Sequence, residues 1–244
     1  MEHELWITAP FNRFLSAPAN AFLNMVGVRA EDPTHPWANW LAIEIVVVLL
    51  TIVLFAFLRS RLSVDRPSKL QHCFELTYEF LRAQAEEVVG HGSRRYLAYF
   101  GTVFFFVLFM NLIGIIPTLE SPTMFLEVPC GLAVATFIYY NATGLKANGA
   151  FGYIKQFLGP MLWLAPVMLP IEIVSHFARP LSLTIRLYAN MFAGEQVTNT
   201  FLTLVPYFIP SLFMALHVFV SFLQAYIFAL LAMIYVGTAV AHEH

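Results

Sequence analysis

Three charged residues recur at intervals of seven in an otherwise apolar stretch: Glu172, Arg179 and Arg186. At about 100° per residue, each step of seven returns to within roughly 20° of the same helical face. Ser175, His176, Ser182 and Asn190 fall near the same stripe. A helix here presents a ribbon of carboxylate, imidazole, hydroxyl and guanidinium along a hydrophobic body. The rise from Glu172 to Arg186 is about 21 Å at 1.5 Å per residue, which sets Glu172 near the inner surface of a bilayer when Arg186 sits deep. A charge at mid-bilayer costs on the order of 2.5–3.5 kcal/mol on insertion scales. Three on one helix therefore require a reason.

Further along, His217, Ser221, Gln224 and Tyr235 share a second face, at offsets of 4, 7 and 18 from His217. Gln224 has donor and acceptor groups that another helix must satisfy, and facing Arg186 would do so. Asn111, in MNLIGIIP, is the other deep polar residue. Each has a plainer reading. Glu172 and Arg179 can snorkel from a helix end, His217 can be a packed core histidine, and Asn111 can be interhelical glue. Arg186 can be a structural partner of Glu195, but nine residues apart they point to opposite sides of one helix, so that pairing needs the helix to end between them. Pro180 is expected to bend the helix.

These residues sit in a chain of 244, with 59% hydrophobic and 11% charged residues, against about 25% charged in soluble domains. A soluble globule of this size lacks the charge to cover its surface. A formal net charge of −2 excludes general electrostatic binding to nucleic acid. Cys73 and Cys130, the 2 cysteines, form no CxxC and define no disulfide framework. The 24 Phe, 4 Trp and 10 Tyr demand burial and exclude disorder. The class is an all-α integral membrane protein.

Charge placement divides the chain. An N-terminal extracytoplasmic segment, 1–39, carries Pro10, Pro18, Pro33 and Pro36, expected to break any long helix, and shows no cleavable signal peptide. Span one is 40–58, about the ~20 residues that cross a ~30 Å hydrocarbon core. Arg59, Arg61, Arg66, Lys69, Arg82, Arg94 and Arg95 follow, with an amphipathic interfacial helix at 68–89. Span two is 96–117, and the loop after it holds Glu120 and Glu127 but no Lys or Arg. Span three is 128–145, weakened by Tyr139, Asn141 and Thr143, and Lys146 and Lys155 bracket the next loop. A break around 195–210 separates span four, 161–192, from span five, 210–239; both are long, and the excess length of span four implies strong tilt. Basic loops lie inside, so the N-terminus is outside and the C-terminal HEH is cytoplasmic. The expected fold is a single membrane domain of five spans plus the interfacial helix.

The run RPLSLTIRLYANMFAGE, Arg179 to Glu195, resembles the signature of subunit a of F-type ATP synthases. HVFVSFLQAYIFALLAMIYVG, His217 to Gly237, and NLIGIIP, Asn111 to Pro117, resemble the same subunit, and most of the chain beyond the first 35 residues follows its order of spans. The resemblance implies the proton-channel stator of F0, lying against a rotor c-ring of small hairpin subunits. It also implies a peripheral stalk of subunit b, the rest of the F0F1 complex and the inner membrane of a bacterium. Arg186 matches the family's essential arginine, and Asn190 and Gln224 match its polar neighbours. Glu195, His217 and Asn111 match the half-channel open to the outside. Glu172, Ser175 and Ser182 match the half-channel open to the cytoplasm. Gly114 stands where some members carry a carboxylate, leaving one fewer titratable group in the outer pathway, and His176 replaces an apolar residue of several members.

H⁺ is the expected ion, since no evident Na⁺ cage is present, and no cofactor or metal is expected. With no GxxxxGK[ST], nucleotide chemistry belongs to other subunits. An intramembrane hydrolase would need a GxSxG, an HExxH or a comparable set, and only a single ExxxH, Glu172–His176, is present. A secondary ion transporter would be marked by inverted repeats, which five unlike spans do not supply. The orientation is testable: a cysteine at position 69 should label with an impermeant thiol reagent from the cytoplasmic side only, and labelling from outside would invert the topology.

Overall fold

The computed structural model describes residues 5–26, 35–63, 67–90, 92–116, 119–158, 165–204 and 208–240. Helices dominate them: α1 (Thr8–Val26), α2 (Asn39–Ser60), α3 (Lys69–Val89), α4 (Leu97–Ile113), α5 (Glu127–Leu158), α6 (Ala165–Leu204) and α7 (Phe208–Val240). Short 3₁₀ turns stand at Ser93–Arg95 and Pro122–Met124, and no strand occurs among the described residues. Two helices are long and apolar enough to cross a membrane, Asn39–Ser60 and Pro210–Val240, and α4 is a shorter apolar helix.

Helix α7 is the centre of the packing. It lies against α3, α4, α5 and α6, and its Ala225, Ala229 and Ala232 are fully buried. Side chains this small let neighbouring backbones approach closely, the packing that works where lipid offers no hydrophobic drive. Phe100, Phe104 and Val107 of α4, Tyr140 of α5 and Leu183, Leu187 and Met191 of α6 complete this core. Helix α2 joins through a smaller cluster, Ile43 and Val47 against Met110. Its other face exposes Leu49, Leu50, Ile52 and Val53, which suits an apolar surround. Ser68 caps α3 by accepting from the Gln71 amide at 3.2 Å, and α3 docks on α7, where Tyr226 Oη donates to Gln84 Oε1 at 3.1 Å.

Several expected boundaries move. The prolines of 1–39 do not prevent a helix: α1 runs for 19 residues with Pro18 inside it. Pro10 falls in its first turn, where an amide has no intrahelical acceptor to lose. The stretch bracketed by Lys146 and Lys155 is helical, because α5 continues beyond 145 to Leu158 and is broken only at Gly149, with φ 69° and ψ 168°. That backbone is open to glycine and strained for other residues. Beyond it the chain doubles back far enough for Tyr153 Oη to donate to Asn141 Oδ1 at 2.7 Å. The expected break at 195–210 is narrower than its range: α6 passes 192 and runs to Leu204 before α7 begins at Phe208, and Glu195 is carried inside α6, buried at 8% exposure. The expected start of span four at Met161, the end of span two at Pro117, Thr118, Arg66, Pro33 and the C-terminal HEH lie outside the described residues.

At 40 residues, α6 is about 60 Å long at 1.5 Å per residue, twice a ~30 Å hydrocarbon core. Pro170 and Pro180 lie inside it, each removing one backbone hydrogen bond and favouring a bend. Asn141 ties α5 to this helix: its Oδ1 also accepts from His176 Nε2 at 3.0 Å, and its Nδ2 donates to the Phe137 carbonyl at 2.6 Å. Asn141→Leu removes one hydrogen bond from a hydroxyl and one from an imidazole at once. Each lost bond costs about 0.5–1.5 kcal/mol net, so the variant should lose thermal stability in detergent. Asn141→Gln, which keeps the amide, should lose less, and equal melting temperatures for the two variants would remove this tie from the fold.

Candidate functional site

Two polar regions lie along α6. The first surrounds Glu195. Glu195 of α6 and His217 of α7 line one cavity of about 310 Å³, with Thr198 and Asn199 of α6 and Glu120 of the α4–α5 connection. Asn111 is fully buried, with its backbone against His217. Its Oδ1 accepts from Thr123 Oγ1 at 2.6 Å, Thr123 pairs with Ser121 Oγ at 2.7 Å, and Ser121 donates to the Met110 carbonyl at 2.9 Å. Four buried polar atoms here have no protein hydrogen-bond partner: Asn111 Nδ2, Glu195 Oε2, His217 Nε2 and Ser221 Oγ. Buried polar atoms are normally paired, and unpaired ones beside a polar cavity are the groups that buried water serves.

Two close approaches shape this region. At Gly114 a Cβ would stand 2.8 Å from Ser121 Cβ, so the end of α4 has no room for a side chain. No carboxylate can hang from this position as the backbone lies. Glu120, six positions on, brings a carboxylate to the same cavity from the connecting loop. At Gly194 a Cβ would stand 2.9 Å from His217 Nδ1, so α6 is bare where the imidazole packs against it.

The second region occupies the first half of α6. Glu172 and Arg179 form an ion pair, Nη2 to Oε1 at 3.7 Å, with side chains 42% and 24% exposed; exposed pairs are worth at most about 1 kcal/mol. The Arg179 guanidinium also lies over Tyr235 at 5.3 Å and Tyr140 at 6.0 Å. Arg179 is thus held by a carboxylate and two rings, beyond simple snorkelling. His176 is buried, with its ring edge-on to Phe137 at 4.9 Å. Its polar partners are Asn141 and Tyr140, so it belongs to a helix-joining cluster of α5 and α6. Ser175 and Ser182 are exposed on the outer side of α6.

Arg186 lies between these regions, half-buried, and donates to Ser182 Oγ at 3.5 Å. Helix α6 is continuous through Arg186 and Glu195, which removes the condition an ion pair between them required. Asn190 is exposed one turn on, and Gln224 is buried on α7. Among the described residues the hydrogen bond of Arg186 goes to Ser182, not to Gln224. The structure therefore gathers Glu195, His217 and Asn111, gathers Glu172 with Arg179, and leaves Ser175, Ser182, Asn190 and Arg186 along the outer face of α6. Sequence reasoning missed Ser121, Thr123, Tyr140 and Tyr153, used Glu120 only to orient the chain and gave Asn141 no site role; the hydroxyls and the amide belong to no charged or periodic pattern.

Residues 40–237 match the family model described as ATP synthase A chain. The chain belongs to this family. It is 59% identical over 234 residues to ATP synthase subunit a of Solibacter usitatus, across 96% of this chain and 100% of the relative. It is 48% identical to subunit a of Koribacter versatilis over the full length of both. Subunit a of Bdellovibrio bacteriovorus is 43% identical over 175 residues, 72% of this chain and 76% of the relative. The family reading covers ATP synthesis and proton transport by an F0 subunit in a membrane. Gly194 offers a direct check on the geometry. Gly194→Ala should push the His217 ring aside and slow proton-driven ATP synthesis several-fold in vesicles, with the amount of assembled complex unchanged.

Proposed function

We propose that the two polar regions are the two halves of a proton path, offset across Arg186. What supports this reading above all is the set of unpartnered buried atoms around the Glu195–His217 cavity, on the opposite side of Arg186 from the Glu172 ribbon. Glu195, His217 and Asn111 serve the half-channel open to the outside. Glu172, Ser175 and Ser182 serve the half open to the cytoplasm. The chain crosses the bacterial inner membrane five times, N-terminus outside and C-terminus cytoplasmic, with α3 at the inner interface.

The partner is a rotor c-ring carrying a carboxyl group at mid-membrane, with subunit b forming the peripheral stalk. The outer side of α6 suits such a ring. Phe177, Leu181 and Ile185 expose an apolar row beside the row of Ser182 and Arg186, so a small apolar helix can pass with its one carboxyl meeting one guanidinium. In lipid that carboxyl is neutral, because a bare carboxylate there is costly. Beside Arg186 the charged form is favoured and the proton leaves toward the Glu172 side. Past Arg186 the carboxylate takes a proton from Glu195 and His217 and returns to lipid. Asn190 and Gln224 keep the neighbourhood of the arginine polar. Each proton delivers about 2.3 kcal/mol per 100 mV, so several are needed per ATP.

Arginine fits because it stays charged when desolvated, whereas a buried lysine sheds its proton. Arg186→Lys and Arg186→Ala should therefore both abolish coupled ATP synthesis while the complex assembles. Arg186→Ala should also raise passive proton permeability, since no fixed charge then separates the half-channels. ATP synthesis and proton leak in membrane vesicles measure both effects, and substantial coupled synthesis by the alanine variant would refute the role.

A further inference from the structure

The outer cavity holds one carboxylate that the path just described does not use. Glu120 lies in the connection between α4 and α5, exposed, and lines the same 310 Å³ cavity as Glu195 and His217. Those two are more than nine-tenths buried, and each presents an atom without a protein partner, Oε2 and Nε2. Glu120 is close enough for its charge to act on the Glu195 carboxyl. The cavity therefore runs from an exposed carboxylate to a buried one, with an imidazole beside it.

The other walls do not compete. Gly114, Ile115 and Ile116, at the end of α4, bring no titratable group, and Gly114 has no room for one. Thr198 and Asn199 of α6 are neutral, and no Lys or Arg lines the cavity among the described residues. Among the described residues that line the cavity with Glu120, the titratable groups are Glu195 from α6 and His217 from α7.

We infer that Glu120 is the proton-collecting group at the mouth of the outer half-channel, passing protons from the external water to Glu195. This rests on the half-channel reading of the cavity. A carboxylate at a narrow mouth lowers the local potential and concentrates cations there, and it binds and releases a proton within hydrogen-bond reach of water. It matters most when external protons are scarce. As the external proton concentration rises, bulk supply increasingly suffices without it.

The test is proton-driven ATP synthesis by the assembled complex in vesicles, at a fixed driving force, with the outside pH varied from about 5.5 to 8.5, a range bracketing the ordinary histidine value and lying above ordinary carboxylate values. Glu120→Gln should fall several-fold at the alkaline end and approach the parent at the acid end, and Glu120→Asp should restore the parent profile. A Glu120→Gln profile that matches the parent overturns the inference. So does a loss equal at every pH, or one that aspartate does not rescue, since either marks a structural role. Glu195→Gln serves as the separate control. If it transports normally, the half-channel reading itself fails; if it is inactive while Glu120→Gln is normal, only the inference about Glu120 fails.

Discussion

A polar atom surrounded by hydrocarbon has no water to bond, and this constraint organises the whole molecule. Each buried donor or acceptor must find a partner in the protein or face a cavity that water can reach. The cluster of Asn141, Tyr153 and His176 takes the first course, and its polar atoms bond one another across α5 and α6. The cluster of Glu195, His217, Asn111 and Ser221 takes the second: each has a buried atom without a protein partner, and Glu195 and His217 line a cavity. The difference separates the two polar clusters more sharply than residue type does, since both contain a buried histidine.

The same constraint explains the continuity of α6. A helix satisfies its own backbone, so it can pass beneath a row of polar side chains without exposing amides to lipid. Glu172, Arg186 and Glu195 are thereby carried on one element, at separations set by the helical rise. Prolines at 170 and 180 take backbone hydrogen bonds out of it near the Glu172–Arg179 end, not between Arg186 and Glu195. The spacing between the fixed positive charge and the outer carboxylate therefore rests on uninterrupted helix.

Much of the architecture was legible because lipid enforces simple rules. Helices α2, α3 and α7 fall within two residues of the runs expected at 40–58, 68–89 and 210–239. Seven-residue spacing placed Glu172, Arg179 and Arg186 on one face. Rules based on avoidance failed where tertiary burial intervened. Glu195 looked like the end of a span because charge normally seeks water, yet the cavity lets it stay inside a helix. Lys146 and Lys155 looked like a loop for the same reason, and helix continued around them. The contributions of Ser121 and Thr123 were invisible, since a hydroxyl in a loop acquires meaning only from Asn111, which lies at least ten positions away.

Unpaired polar atoms are costly, at about 1–3 kcal/mol each, and an apolar repacking of the outer cavity would make a firmer protein. Helix α7 shows that such packing is within reach, for its alanines close on α4 and α6 with no exposure. One and two turns away, Ser221 and His217 occupy buried positions with polar atoms unpaired. Glycine at 194 gives the imidazole its space, where any Cβ would intrude at 2.9 Å. Small residues thus serve opposite ends on the two helices: on α7 they remove space between backbones, and on α6 Gly194 preserves it. A proton path needs groups whose hydrogen bonds are exchangeable, and a group fully committed to a protein partner cannot be one of them. The rigid α4–α7 packing is what allows this cavity to persist without collapsing around its polar lining.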